Sequence, residues 1–148
     1  MQMLFKVFAV AGSAMFAGVM LAIGMILGGY WKGMPPAEFL DWLAKHGDLI
    51  QRVIPLVVVP TVVGLAGALS CDWRQPAARG LWLGAAVCIV AVLGLTMVYF
   101  APTNAAFATK AVALDQVSAK LDTWLLLHYL RVAVALTAPV LGILAITR

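Results

Sequence analysis

The sequence predicts an all-α membrane protein, a bundle of four transmembrane helices. The 148-residue chain is 64% hydrophobic and only 11% charged, whereas a soluble domain carries roughly 25% charged residues. Four predominantly apolar runs are long enough to cross a bilayer, which takes about 17 to 25 residues; they cover approximately residues 7–30, 53–70, 80–100 and 123–147. Because the runs are continuous rather than alternating, they predict helices and not barrel strands.

The four runs leave little of the chain for a soluble domain, so we expect residues 1–148 to form a single four-helix membrane domain. The first run follows a lone Lys6, as a signal peptide would. It continues to Tyr30, however, which is longer than the apolar part of a signal peptide. We therefore expect a retained first helix.

The two longer connections carry amphipathic sequences that predict short interfacial helices. In the first loop, the stretch "GMPPAEFLDWLAKHG" is bounded by Pro36 and Gly47, and Asp48 with Gln51 resembles a capping box that opens the second span. In the third loop, "AAFATKAVALDQVSAKLD" has a helical composition but too many polar residues to span a membrane. We predict that both segments lie at the membrane surface.

Small residues recur in the first span at Ala14, Gly18 and Ala22, followed by Gly24 and Gly28. Such spacing lets another helix backbone approach closely. We interpret the ladder as a packing surface within the bundle. A homo-oligomer would use the same surface equally well.

The charge pattern limits the partners. The net charge of +4 is scattered, with no basic block of the kind that binds nucleic acid. The expected partners are therefore the lipid bilayer and a lipophilic small molecule. Weighting the short connections places the N-terminus, the Arg74–Arg79 turn and the C-terminus on the cytoplasmic side of a bacterial inner membrane.

The fourth span contains the most unusual residues of the chain, in the stretch "WLLLHYLR". At 3.6 residues per turn, Trp124, His128 and Arg131 project from one face of a helix. An arginine near the bilayer centre costs roughly 2.5–3.5 kcal/mol on insertion scales, and such residues usually face the bundle interior. One interpretation is structural anchoring of the bundle by Arg131. The other is a polar pocket in which Arg131 binds an anionic or carbonyl oxygen and His128 acts as a general base.

Alternating helix directions bring further polar residues to the same end of the bundle. These are Tyr99, Thr103, Asn104, His46, Gln51 and Arg52. Asn104 is either a helix cap or a site residue, and Tyr99 would stack against a flat ring. Gln51 and His46 are interpreted as helix-terminal residues, and Arg52 as an interfacial anchor.

Two histidines at one end raise the question of haem, since two histidines can ligate one haem axially. His46 lies in a predicted loop helix without a partner carboxylate at metal-ligand spacing, so we expect His46 and His128 to bind no haem. Motifs for zinc, for phosphate loops and for Ser-His-Asp or thiol catalysis do not occur. The sequence therefore predicts no cofactor and no metal.

Three short motifs together resemble the anthrone-oxygenase-like family of small four-helix membrane proteins. They are "GMPPAEFLDWLAKH" after the first span, "YFAPTN" at the end of the third, and W-x-x-x-H-x-x-R at the start of the fourth. The resemblance implies a four-helix membrane fold and cofactor-independent oxidation of anthrones to anthraquinones. It also implies a polar cluster of Asn104, Trp124, His128 and Arg131.

Two functions follow as alternatives. The first is a cofactor-independent oxygenase acting on a flat, lipophilic, phenolic or quinone-like compound. His128, Arg131 and Asn104 would be catalytic in it, and Trp124 and Tyr99 would bind the substrate. The second is a non-catalytic membrane module that binds a lipophilic ligand or a partner protein.

Overall fold

The computed structural model describes residues 1–148, which form four long helices and no strand. All four are long and apolar enough to cross a membrane: α1 (Gln2–Lys32), α2 (Pro36–Cys71), α3 (Pro76–Ala108) and α4 (Leu114–Ile146). The predicted all-α four-helix bundle is confirmed, and the protein is an integral membrane protein. Each helix begins before the apolar run from which it was predicted.

Prolines mark the start of two helices and interrupt none. Pro36 and Pro76 occupy the first turns of α2 and α3, where a missing backbone N–H removes no helical hydrogen bond. Helix α2 continues through Pro55 and Pro60, and α4 continues through Pro139.

The structure corrects the prediction of separate interfacial helices. The first amphipathic segment is the beginning of α2. Asp48 does not cap a new helix, because its carboxylate accepts a 2.8 Å hydrogen bond from Arg52 one turn further along. Phe39 and Leu43 are buried, so this segment packs into the bundle and does not rest on a lipid surface.

The second predicted interfacial helix, in the third loop, is divided between two long helices. Its beginning completes α3, which ends at Ala108, and its remainder opens α4 at Leu114. Lys110 in the intervening turn has a positive φ of 57°, the left-handed conformation that commonly ends a helix. Lys110 also forms an ion pair with Asp41 of α2.

The helices form a ring that is less tightly closed on one side. Helix α1 packs against both α2 and α4, and α3 packs against α4, whereas α2 and α3 make much less contact. One half of the interior is an aliphatic core around Phe16 and Trp82. The other half is an aromatic cluster that includes Trp31, Phe100 and Trp124.

Glycines bring α1 and α2 close together at positions other than those the sequence suggested. A Cβ atom at Gly12 would lie 2.9 Å from the backbone nitrogen of Thr61, and a Cβ atom at Gly64 would collide with the backbone of Ala9. The Ala14, Gly18 and Ala22 part of the predicted ladder is exposed. That interpretation was wrong for these three residues, because α1 turns a neighbouring small-residue face inward.

Gly24 and Gly28 of the same predicted ladder do pack inside the bundle. Both are buried. A Cβ atom at Gly24 would lie 2.9 Å from the imidazole Cδ2 of His128, and a Cβ atom at Gly28 would meet the side chain of Leu125. These two glycines therefore bring α1 close to α4.

A buried carboxylate joins three segments at the end of the bundle that holds the N-terminus. Asp72, at the end of α2, is 2% exposed. It accepts hydrogen bonds from Lys6 Nζ at 2.8 Å and from Trp82 Nε1 at 2.9 Å. Burial raises the pKa of Asp72, but hydrogen bonds from Lys6 and Trp82 and the Lys6 charge outweigh it, so this pKa lies below its usual value.

The Asp72 site predicts a specific stability defect. Asp72→Asn leaves the partly buried Lys6 ammonium without its counter-ion, so we expect a loss of about 3 kcal/mol, within the range for a broken buried ion pair. Asp122→Asn is the matched control, because the Asp122 pair with Lys32 is exposed and should contribute under about 1 kcal/mol. Thermal unfolding of the purified variants measures both effects.

The stability difference between wild type and Asp72→Asn depends on pH. Because folding lowers the pKa of Asp72, its stabilisation is complete above the unfolded-state pKa of about 3.9 and is lost as the pH falls through the folded-state value. The difference in stability between wild type and Asp72→Asn should therefore shrink below about pH 4. A difference that is unchanged down to acidic pH would contradict this assignment.

The contact between α1 and α2 predicts a second pair of variants. Gly12→Ala places a methyl group against the Thr61 backbone and should destabilise the protein by about 1–3 kcal/mol, as overpacking does. Gly18→Ala adds the same group where nothing lies within 4 Å and should be neutral or slightly stabilising. Equal melting temperatures for the two variants would refute this packing.

Candidate functional site

A cavity of about 720 Å³ lies in the aromatic half of the bundle, lined by residues of all four helices. Its size is within the range of roughly 300–1,000 Å³ seen for small-molecule sites. Of the 25 lining residues, 17 are hydrophobic, so the few polar groups determine what the cavity can bind. Four of them were predicted from the sequence: Asn104, Trp124, His128 and Arg131.

Arg131 is the buried cation of this cavity, with 7% of its surface exposed. Its Nη1 donates to Thr96 Oγ1 at 2.8 Å, and its Nη2 donates to His128 Nδ1 at 2.7 Å. The guanidinium carbon lies 3.3 Å from the centroid of the Phe100 ring, a cation–π contact. Both hydrogen-bond acceptors are neutral groups.

No carboxylate forms a salt bridge with Arg131. The salt bridges of the protein join Lys6 to Asp72, Lys32 to Asp122, Arg52 to Asp48 and Lys110 to Asp41. The Nε of Arg131 has no hydrogen-bond partner, and a guanidinium has five N–H donors, of which two are used here. Arg131 therefore lines the cavity as a cation whose charge no carboxylate neutralises.

His128 is held between Arg131 and helix α1. Its Nε2 lies 2.7 Å from the carbonyl oxygen of Met20, which can only accept, so Nε2 carries a proton. Its Nδ1 faces Arg131, which can only donate, so Nδ1 accepts. The geometry thus assigns the neutral Nε2–H tautomer, with both ring nitrogens engaged.

Trp124 completes the stripe on α4. Its ring stacks on the imidazole of His128, with centroids 4.7 Å apart and planes 8° from parallel. Its Nε1 donates to Asn104 Oδ1 at 2.8 Å. Asn104 therefore keeps its two amide N–H donors for another acceptor, and the sequence-predicted cluster of four residues is brought together in one place.

Two π-helical turns lie in the helices that face this cluster. In the first, Ile23–Leu27 of α1, the N–H of Gly28 bonds to the carbonyl of Ile23. The carbonyl of Gly24 is thereby left free, and it accepts a 3.0 Å hydrogen bond from the Tyr129 hydroxyl. The second turn, Thr96–Phe100 of α3, carries both residues that hold Arg131 from that side. Single π turns are often found at functional sites.

Comparison with known protein families gives one match that covers more than half of the chain. Residues 47–141 match the model of the anthrone oxygenase family. The protein belongs to the anthrone oxygenase family. Neither the curated proteins nor the solved structures give a match. The resemblance noted in the sequence is therefore confirmed.

The part that matches the anthrone oxygenase family contains the polar cluster on α3 and α4. Residues 47–141 include Asn104, Trp124, His128 and Arg131 but leave out α1. Two groups of α1 therefore lie outside the match. The carbonyl of Met20 contacts His128, and Trp31 lines the cavity.

Not every sequence-predicted residue reaches the cavity. Tyr99 does not line it and packs edge-to-face on Phe100, with centroids 5.1 Å apart. His46 also lies outside the lining, and its Nδ1 is 2.9 Å from the carbonyl of Trp42. Both ring nitrogens of His128 are engaged in hydrogen bonds. Gln51 lines the cavity, and Arg52 is paired with Asp48.

Sequence reasoning missed three side chains that define the site: Thr96, Phe100 and Trp31. Thr96 is a polar residue inside the third apolar run. Its position could have predicted a hydrogen-bond partner for Arg131. Nothing in the sequence distinguishes Phe100 from the other aromatic residues near it. Trp31 lines the cavity, and its Nε1 is one of two buried side-chain atoms without a hydrogen-bond partner; the other is Nε of Arg131.

The contact between Thr96 and Arg131 predicts a stability difference between two similar substitutions. Thr96→Val leaves one buried Arg131 donor unpaired, at a cost of about 1–3 kcal/mol. Thr137→Val is the control, because Thr137 is exposed and bonds only to the carbonyl of Ala133; its effect should stay within about 0.5 kcal/mol. Thermal unfolding in detergent compares them, and indistinguishable melting temperatures would show that Thr96 does not hold Arg131.

Proposed function

We propose that the cavity binds a flat, lipophilic, phenolic or quinone-like compound and oxidises it without a cofactor, as the family name suggests for an anthrone. The observation that carries the proposal is Arg131, a buried cation without a carboxylate partner in the wall of a mostly apolar cavity. Such a cavity matches a flat apolar molecule that develops negative charge on one oxygen.

The chemistry requires a base, an oxyanion-binding group and molecular oxygen. Removing a proton from the ring carbon opposite the carbonyl of an anthrone produces an enolate, whose negative charge lies largely on oxygen. Dioxygen oxidises the enolate at carbon, and one oxygen atom becomes the second carbonyl while the other leaves as water. The sum is anthrone plus O₂ to anthraquinone plus H₂O, so no further oxidant is needed.

Arg131 would bind the developing oxyanion through its unused donors. Such interactions are stronger in a water-poor site than in water. The amide group of Asn104, which is free because Trp124 uses only its oxygen, would donate to the same oxygen or to a neighbouring one. Trp124 and Phe100, which pack edge-to-face with centroids 5.2 Å apart, would together form an aromatic wall beside the ring system, and Tyr99 packs on Phe100.

His128 would become available as the base when Arg131 turns to the substrate. In the structure Nδ1 of His128 accepts from Nη2 of Arg131. Transfer of that donor to the substrate oxygen frees Nδ1 to take the ring proton, while the bond from Nε2 to the carbonyl of Met20 keeps the imidazole oriented. Oxyanion binding and proton removal would therefore be coupled.

The second candidate is a non-catalytic membrane module that binds a lipophilic ligand or a partner protein. The observation that favours it is the closed hydrogen-bond arrangement of His128, which has no free nitrogen in this structure. In that case Arg131 and His128 would be anchors of the bundle, and their loss would chiefly reduce stability.

An oxidation assay separates the two candidates. The protein in lipid nanodiscs is mixed with 1,8-dihydroxyanthrone in aerated buffer, and anthraquinone absorbance and O₂ uptake are followed against protein-free controls. His128→Ala should reduce the enzyme-dependent rate at least about 100-fold, the scale of a lost general base. It should also lower the melting temperature, because a buried donor of Arg131 loses its acceptor. Added imidazole should restore part of the rate, because the small base can occupy the vacated position.

The matched control is His46→Ala, which removes a histidine outside the cavity lining and should leave the rate unchanged. Arg131→Gln should lower the rate while Arg131→Lys, which keeps the charge, should retain more of it. Loss of stability in His128→Ala without any enzyme-dependent oxidation in the wild type would support the non-catalytic module.

For the location, we propose the cytoplasmic membrane of a bacterium, with the N-terminus on the cytoplasmic side. The basic residues of that end are Lys6, Arg74, Arg79 and Arg148, and short basic connections favour the cytoplasmic side. The cavity would then open toward the opposite half of the membrane.

A further inference from the structure

The exposed residues of the cavity lining belong to two helices only. Most of its lining residues are buried or partly buried, and six are exposed. All six belong to α2 and α3: Ala44, Asp48, Gln51, Pro55, Ala101 and Ala105. We call the opening between these two rows the slit. Neither α1 nor α4 contributes an exposed residue to it.

The two rows face one another across the side where the ring of helices is least closed. On α2 the four residues follow one another at intervals of three or four, which places them on one face of the helix. They extend over about 17 Å at 1.5 Å per residue. Ala101 and Ala105 form the matching face of α3. At one end the slit is closed by Phe39 against Phe107, whose ring centroids are 5.1 Å apart.

The inner part of the slit lies between surfaces that face lipid. Leu56 follows Pro55 and is 72% exposed, while Val98 in the π turn before Ala101 is 79% exposed. Both belong to the apolar runs that cross the membrane. The outer part of the slit lies beside the ion pair of Asp48 and Arg52. The opening therefore extends from the polar boundary of the membrane into its hydrocarbon region.

We propose that molecules reach Arg131 from the bilayer, by passing sideways between α2 and α3 through the slit. Three of the six edge residues are alanines, so the passage is made by small side chains and suits a thin, planar molecule. The nature of that molecule, a flat lipophilic phenol, rests on the proposed function; the route does not.

The route can be tested without a ligand and without turnover. Leu93→Cys places a thiol in the lining of the cavity, in a background with Cys71→Ser and Cys88→Ser to remove the two native thiols. The protein is reconstituted in liposomes and exposed either to N-(1-pyrenyl)maleimide, which is planar and dissolves in lipid, or to a charged, membrane-impermeant thiosulfonate. We expect the pyrenyl reagent to label the thiol at least ten times faster than the charged one.

Substitutions at the edge of the slit then test the passage itself. Ala105→Trp should slow pyrenyl labelling at least tenfold, and Ala101→Leu, a milder change, should slow it severalfold. Ala91→Trp is the matched control, because Ala91 is an exposed residue of α3 that does not line the cavity; it should label at the parental rate. Melting temperatures show whether each variant remains folded.

Three results would overturn the proposal: labelling by the charged reagent as fast as by the pyrenyl reagent, no labelling by the pyrenyl reagent, or edge variants within twofold of Ala91→Trp. Because no oxidation is measured, these results are independent of the anthrone assay. A protein that lacks oxidase activity but shows slit-dependent labelling would contradict the proposed function and support the route.

Discussion

The positive charge of Arg131 is the constraint on which the aromatic half of the bundle depends. A buried cation is costly unless nearby groups replace its water. Here those groups are an imidazole nitrogen, a hydroxyl and the face of a phenyl ring. Each stabilises the cation, and none neutralises it. The protein therefore folds around an uncompensated charge, and an anionic group in the cavity would complete its surroundings.

The backbone is adapted to this charge at two places. In α3 the π turn ends at Phe100, two residues before Pro102. It carries Thr96 and Phe100, which both contact Arg131. In α1 the π turn frees the carbonyl of Gly24, which accepts a hydrogen bond from Tyr129. Tyr129 follows His128, the residue that accepts a hydrogen bond from Arg131. A regular α-helix has no spare carbonyl in its interior. The π turn of α1 supplies such an acceptor, the carbonyl of Gly24, inside the membrane region, where water is absent.

The sequence predicts much of this arrangement and fails in places that have physical causes. Helical spacing was sufficient to place Trp124, His128 and Arg131 on one inward face, because α4 is regular through that region. For Tyr99, the argument from alternating helix directions gave the end of the bundle but not the direction of the side chain, which does not line the cavity. A π turn holds more residues than an α turn, so Phe100, four residues after Thr96, shares its face, and Tyr99 is rotated away from the cavity.

The remaining errors concern choices that local sequence leaves open. Small residues occupy two faces of α1, and only the partner helix determines that Gly12 is buried while Gly18 is exposed. The amphipathic segment after Pro36 is compatible with a membrane surface or a protein groove. In the structure this segment packs into the protein, because the aromatic cluster around Trp31 provides buried apolar neighbours for Phe39 and Leu43.

The aliphatic half of the bundle is tightly packed, whereas the aromatic half contains the cavity. In the aliphatic half, α1 and α2 touch through glycines, and Asp72 joins α2 to the N-terminal turn of α1 and to α3. That end holds α2 and α3 together where the chain turns from one to the other. At the opposite end α2 and α3 meet again, where Phe39 packs against Phe107 and Asp41 pairs with Lys110. The slit and the cavity lie between these two contacts, so the bundle is held at both ends and open between them.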